Sequence, residues 1–234
     1  MTDIEVLNAS LHGDLRVRDA IGSSGTQWRG FVEIVLAEFA VAATRYPIFF
    51  TKNYETGRFM AGILHGIQSE GQVRSLGSPD PDAYVPFAVQ REGFFVSGDH
   101  LAIDPDDARV SRTEGRPLFD AQGEPATALK EVQQAVAMLM RGREPTAAFI
   151  DVLLQHKLIE PIAISLDFDD GERLNLDGLY TVSLDQMSQL DDAAVLALFR
   201  SNHLQLAYAA AASLRQLPIL ASQRNRRLAD ALPA

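Results

Sequence analysis

The longest stretch of patterned hydrophobicity runs from Phe31 to Ile67 and holds the densest apolar cluster of the N-terminal half. Phe31 to Leu36 is β-branched and apolar, which predicts a strand. Ala37 to Thr44 is alanine-rich and predicts a short helix. Tyr46 precedes Pro47, whose ring pushes it out of helical geometry and ends that helix. Ile48 to Thr51 predicts a buried strand, Asn53 to Gly57 a turn, and Arg58 to Ile67 a returning strand. Gly62 and Gly66 within it mark bulges or a close backbone approach.

Residues 1–30 are polar and read as an arm with one short strand near Leu15 to Val17; Trp28 is expected at the edge of the core. Ser69 to Ala83 is rich in Gly, Ser, Pro and Asp and predicts a mobile flap. Tyr84 to Val89 and Phe94 to Val96 read as strands of a hairpin turning through Gln90 to Gly93, with Leu101 to Ile103 beside them. Asp104 to Gly123 is irregular and forms the best boundary between subregions.

After that boundary the apolar period changes from two to near four. Pro125 to Met140 predicts a helix, with Leu129, Val132, Val136, Leu139 and Met140 on one face. Pro145 suits the first position of a second helix bearing Phe149, Ile150, Leu153 and Leu154. Ile162 to Phe168 and Glu172 to Leu176 flank Asp169-Asp170-Gly171, a hairpin signal, and Leu179 to Val182 predicts a further strand. Ser183 to Gln186 has capping-box spacing, Asp191 or Asp192 caps another helix reaching Arg200, and Leu204 to Leu217 predicts a last helix before Pro218.

These elements predict an α+β protein: a strand-rich N-terminal part packed against a helical C-terminal part that contains an additional β-hairpin. The expected organisation is an arm over 1–30, a single domain over 31–217 with subregions 31–123 and 124–217, and a helix end and tail over 218–234.

Composition narrows the chemistry. The chain has 234 residues, 47% hydrophobic and 22% charged, which is ordinary for a globular protein. Its net charge of −10 repels phosphate backbones, so no nucleic-acid partner is expected. The basic cluster Arg215, Arg224, Arg226 and Arg227 reads as a solvated helix end. The absence of cysteine excludes disulfides, thiolate zinc sites, iron–sulfur clusters and Cys nucleophiles. With no leader-like N-terminus and no transmembrane segment, a cytoplasmic location is expected.

Motifs for catalysis fail in turn. Asp167, Asp169, Asp170 and Glu172 miss the calcium-loop spacing, because the glycine comes one position early and Gly178 stands where a glutamate is needed. No two of the five histidines have metal-ligand spacing, and the His100–Asp104 pair is a weak metal candidate. There is no G-x-S-x-G, Walker A or G-x-G-x-x-G motif. Ser97-Gly98-Asp99-His100 reads as a turn. Arg58, Tyr84 and Arg91 remain as residues expected on strands of the N-terminal sheet, lining one face to grip an anionic or polar ligand. With His100 and Asp104 they are the ligand-binding candidates. No cofactor and no metal are expected.

One resemblance adds to this reading. Tyr46-Pro47-Ile48-Phe49-Phe50, Gly57-Arg58-Phe59, Tyr84-Val85-Pro86, Ile103-Asp104 with Arg109-Val110-Ser111, Pro117-Leu118-Phe119-Asp120 with Gly123-Glu124-Pro125, Phe149-Ile150-Asp151, Glu160-Pro161 and Gly178-Leu179-Tyr180-Thr181-Val182 follow one another in the order and spacing of a known family. The chain resembles the SapC-like family of bacterial proteins from about Phe31 to about Leu217, and is unlike the membrane permease of the same name. At Gln90-Arg91-Glu92-Gly93-Phe94 it departs from the doubled Arg before Pro-Phe that the family often shows. The resemblance implies a link to surface-layer formation and an accessory role near TonB-dependent uptake systems, and it carries no catalytic residues.

The function expected is therefore that of a non-catalytic binding or interaction protein tied to a bacterial envelope or uptake system, with a protein partner or a small polar or anionic ligand. The alternative is an enzyme acting on a peptide or small metabolite, with its site between the N-terminal sheet and the Ser69 to Ala83 flap.

Overall fold

The computed structural model of the chain describes residues 4–18, 31–64, 66–69, 72–75, 84–169, 171, 173–219, 221–222 and 225. In chain order the strands are β1 (Glu5–Val6), β2 (Arg16–Val17), β3 (Phe31–Glu33), β4 (Ile48–Lys52), β5 (Phe59–Leu64), β6 (Gly66–Ser69), β7 (Gln72–Ser75), β8 (Phe94–Ser97), β9 (His100–Ile103), β10 (Val110–Ser111), β11 (Arg116–Pro117), β12 (Ile159–Asp167) and β13 (Arg173–Val182). The α-helices are α1 (Ala9–His12), α2 (Phe39–Ala42), α3 (Phe87–Gln90), α4 (Thr127–Gln155), α5 (Leu184–Met187), α6 (Asp192–Arg200) and α7 (His203–Ser213). The fold is α+β. It falls into two compact units that interleave in sequence: Met1–Gln27 with Pro79–Arg141, and Trp28–Ser78 with Gly142–Ala234.

The second unit is built on a sheet in the order β12-β13-β4-β5-β3, with every neighbouring pair antiparallel. Ile48, Phe49 and Phe50 of β4 are all fully buried, so this central strand has apolar cover on both faces. On one face Phe50 meets Phe39 and Phe149, and the Phe39 and Phe149 rings stand edge to face 5.5 Å apart. On the other, Phe49 packs with Leu64, Ile164, Phe168 and Leu179, with Leu214 and Leu217 against them. The backbone N–H of Ile48 is satisfied by the hydroxyl of Ser213 at 2.8 Å, and that hydroxyl donates to the Ala210 carbonyl. A serine on α7 thus supplies the acceptor that the strand would otherwise lack in an apolar setting.

The hairpin expected around Asp169 forms, but it is no separate feature. Leu179 and Tyr180 of β13 pair with Thr51 and Phe50, so the hairpin extends the N-terminal sheet. The strand expected over Phe31 to Leu36 stops at Glu33, and Leu36–Glu38 is a 3-10 turn whose first N–H groups are held by side chains. Glu38 accepts from the Val35 N–H, and Thr146 accepts from the Leu36 N–H at 2.8 Å.

The two helices expected on either side of Pro145 are a single helix, α4, which begins in the first unit and ends in the second. Proline in a helix interior removes one hydrogen bond and costs about 3 kcal/mol. Packing outweighs that loss. Thr146 donates to the Gly142 carbonyl while receiving Leu36, and Val35 lies so close over Gly142 that a Cβ there would sit 2.5 Å from the Val35 Cβ.

The first unit holds small ladders: β1-β9-β8 and β10-β2-β11. Its core gathers Leu15, Val17, Phe94, Ile103, Leu118 and the apolar face of α4 at Leu129 and Val132. The strand expected over Tyr84 to Val89 is instead the helical turn α3, and the hairpin turns between Ser97 and His100 rather than through Gln90 to Gly93. The cause is Arg109, which is 3% exposed. Its Nη1 donates to the carbonyls of Val89 (2.7 Å), Gln90 (3.0 Å) and Glu92 (3.3 Å), and Nε and Nη2 reach the Arg18 carbonyl. Carbonyls at a helix C-terminus have no partner within the helix and carry partial negative charge. One guanidinium satisfies them, and α3 is stable where it stands.

β6 and β7 form a two-stranded ladder in which β6 ends where the expected flap begins, at Ser69, and β7 lies within the flap. The rest of that flap, His65, Trp28 and the arginines 224, 226 and 227 lie outside the described residues. Among the described residues no helix is long and apolar enough to cross a membrane.

Two predictions follow from this packing. Arg109→Met leaves several carbonyls without a donor and is expected to lower stability by about 3 kcal/mol in urea unfolding. Arg109→Lys recovers less than half of that, because one ammonium lacks the planar fork that serves both sides. The second concerns His203, whose ring stands 5.2 Å from Phe149 and whose buried Nδ1 has no hydrogen-bond partner among the described residues. Burial holds its imidazole below the ordinary histidine range. The unfolded chain therefore takes up this proton first, so the contribution is intact above about pH 6.5 and is lost as pH falls toward the folded value. The urea midpoint should drop between about pH 7.5 and 5.5, and drop less in His203→Phe.

Candidate functional site

The five residues expected to bind a ligand do not share one sheet. Arg58 belongs to the second unit, in the link between β4 and β5; Tyr84, Arg91, His100 and Asp104 belong to the first. Tyr84 is half-buried ahead of α3. Arg91 caps the C-terminus of α3 and donates to the Phe94 carbonyl at 3.1 Å. Asp104 joins β9 to the following turn: its N–H donates to Gly93, and its carboxylate accepts from the Asp106 N–H. His100 is exposed at the turn end of the β8–β9 hairpin, whereas Asp104 lies beyond the opposite end. A strand rises about 3.3 Å per residue, so these two are separated by roughly 13 Å of chain and do not form the weak metal pair considered above. Arg91 and Asp104 hold local backbone in place.

Arg58 is different. Its side chain is exposed and makes no ion pair with another described residue, and it closes an exposed, hydrogen-bonded turn of the second unit. Asn53 organises that turn. Its side-chain oxygen accepts from the N–H groups of Glu55 (3.0 Å) and Thr56 (2.9 Å) and from the Thr56 hydroxyl (3.1 Å). Its N–H donates to the Arg58 carbonyl, and its carbonyl accepts from the Gly57 N–H. Gly57 has φ +65°, a left-handed conformation that side chains resist. The result is an ordered turn that displays Tyr54, which is 91% exposed and donates its hydroxyl to Glu55 at 3.0 Å, and ends at Arg58.

The adjoining sheet surface continues the display. Lys52 and Phe59 are direct partners across β4 and β5. The Lys52 ammonium lies 5.2 Å from the centre of the Phe59 ring and 5.7 Å from that of Tyr180, and the two rings meet edge to face at 4.9 Å. A cation held over two ring faces is attracted to their quadrupoles and has lost much of its freedom before any partner arrives. The surface thus offers two cations and three aromatic rings on a frame already ordered. Such a surface can bind through ring faces, ion pairs and hydrogen bonds.

A family model described as SapC matches residues 7–220. The chain belongs to the SapC family. No curated protein and no solved structure matches it. The match extends the resemblance seen from Phe31 to Leu217 back to Leu7, near the start of the first unit's ladders. Two contributors to this SapC protein escaped sequence reasoning. Arg109 lies within a family-like motif, but nothing local shows that it caps a helix lying far earlier in the chain. Asn53 to Gly57 was legible as a turn, while the exposure of Tyr54 and the seating of Lys52 depend on strand pairing.

The rigidity of the turn is open to test. Gly57→Ala meets no neighbouring atom, since nothing lies within 4 Å of an added Cβ, so its effect is purely conformational. It is expected to cost about 1 kcal/mol in urea unfolding, and Gly57→Asn clearly less, because asparagine tolerates the left-handed region.

Proposed function

We propose that this SapC protein is a non-catalytic interaction protein serving a bacterial envelope or TonB-dependent uptake system, and that it grips a protein partner through the β4–β5 turn. The observation that carries this reading is that exposed Tyr54 and Arg58, which makes no ion pair among the described residues, are both set on the pre-ordered Asn53 turn. Tyrosine and arginine dominate the binding energy of protein interfaces, and a segment ordered before binding loses little entropy on docking. Lys52, Phe59 and Tyr180 extend the surface with the same chemistry. Lys52 and Arg58 outnumber the one carboxylate of this turn, Glu55, in a chain of net charge −10, which favours an acidic patch on the partner. The link to the surface layer or to uptake rests on the family resemblance. Tyr84, Arg91, His100 and Asp104 form a second, subordinate set of contact candidates on the first unit.

The test is an affinity capture from the source cells with tagged protein, followed by mass spectrometry. A specific protein at near-stoichiometric amount is expected, and Tyr54→Ala with Arg58→Ala should weaken its retention by about 2 kcal/mol or more. Retention unaffected by the double substitution would remove the turn from the proposal. Capture of a small molecule and no protein would replace it with the enzymatic reading.

A further inference from the structure

A separate surface lies on α6. This helix is amphipathic in an unusual sense: its inward side buries Leu198 at 1% exposure, yet its outward side is also apolar. Val195 is 37% exposed, Leu196 46% and Phe199 67%. At 100° per residue Val195, Phe199 and Leu196 fall within one arc of about 100°, with Val195 at the margin next to Leu198 and Leu196 farthest from it, and Asp192 and Arg200 stand one on each side of Leu196, two turns apart along the helix. Exposed apolar residues scattered singly need no explanation, but three in one helical stripe mark a contact surface.

We propose that two copies of the chain associate through α6, the helices lying antiparallel across a two-fold axis. The charges decide the occupant. Asp192 and Arg200 stand at equal spacing on either side of Leu196, and neither forms an ion pair with another described residue. A two-fold through Leu196 sets Asp192 of one copy against Arg200 of the other, twice, while Leu196 meets Leu196 and the Phe199 rings flank them. An isologous interface requires this self-complementarity. An anionic lipid surface would require basic residues along the polar border, whereas α6 begins with Asp191 and Asp192. Asp191 is already committed to the Ala194 N–H at 2.8 Å, so the helix start is fixed before association. One short helix per copy makes a small interface, and the dimer is correspondingly weak and concentration-dependent.

Sedimentation velocity on the purified full chain, from micromolar to millimolar concentration, tests this without any other partner. The native chain is expected to pass from monomer to dimer over that range. Phe199→Asp should raise the midpoint at least about tenfold. Asp192→Arg and Arg200→Asp should each abolish the dimer alone, because each sets like charges together twice. An equimolar mixture of those two variants should dimerise again, since every contact across the two-fold is then between opposite charges. A native chain that stays monomeric at millimolar concentration overturns the proposal. So does a dimer indifferent to Phe199→Asp, or a mixture of the charge variants that remains monomeric. None of these results bears on capture through the β4–β5 turn, so the two readings stand or fall apart.

Discussion

The complete burial of β4 is the constraint on which the second unit depends. Ile48, Phe49 and Phe50 project to alternate faces, and all three are withdrawn from water. A strand in that position needs a partner on each edge and apolar cover on each face. β5 supplies one edge locally, through the Asn53 turn. The other edge and both covers come from distant chain: β13 on the open edge, Phe149 from α4 over one face, Leu214 and Leu217 over the other. Even the N–H of Ile48 is met by a hydroxyl from α7. An unsatisfied donor there would cost on the order of 1–3 kcal/mol, comparable to removing a buried methylene or two.

The surface features follow from that core. Because β4 and β5 are pinned along their apolar lengths, their far ends are pinned too, and Lys52 meets Phe59 and Tyr180 at the rim where burial gives way to solvent. The turn beyond is ordered by its own asparagine, so Tyr54 and Arg58 project from a frame that cannot relax away from them. α6 owes its outward apolar stripe to a similar division: Leu198 anchors it to the unit, and the helical period turns Leu196 and Phe199 away from the interior, with Val195 at the margin between the two sides.

The first unit relies on polar contacts to a greater degree. Its ladders are mostly short, β1, β2, β10 and β11 having only two residues each. A single buried arginine joins Arg18, the residue after β2, to α3 and the turn that follows it, through their carbonyls. His12 does the same at the start of the chain. Its Nδ1 accepts from the Asn8 N–H and its Nε2 faces Glu5 at 3.1 Å, so the ring ties the start of α1 to β1.

Much of the local structure was legible in the amino-acid order because its causes act within a few residues. The aromatic run at Ile48 to Phe50 identified a buried strand, Asp191 and Ser183 announced helix starts that their side chains do cap, and the Asp-rich turn at 169–171 announced a hairpin. The SapC membership was likewise carried by ordered short motifs. Tertiary structure alone decided which strand β13 would join, since pairing depends on which edge can be buried on both faces. It alone carried α4 through Pro145, because the compensating contacts come from Val35 and Leu36. It made α3 a helical turn rather than a strand, because the donor that satisfies it is Arg109. For the same reason Arg58 falls in a different unit from Tyr84, Arg91, His100 and Asp104: position along the chain does not say which unit a residue joins, and the units interleave. Local propensity acts through a residue's own neighbours. The placement of a side chain in a site is set by burial and hydrogen-bond satisfaction summed over distant segments, and no short window of sequence contains that sum.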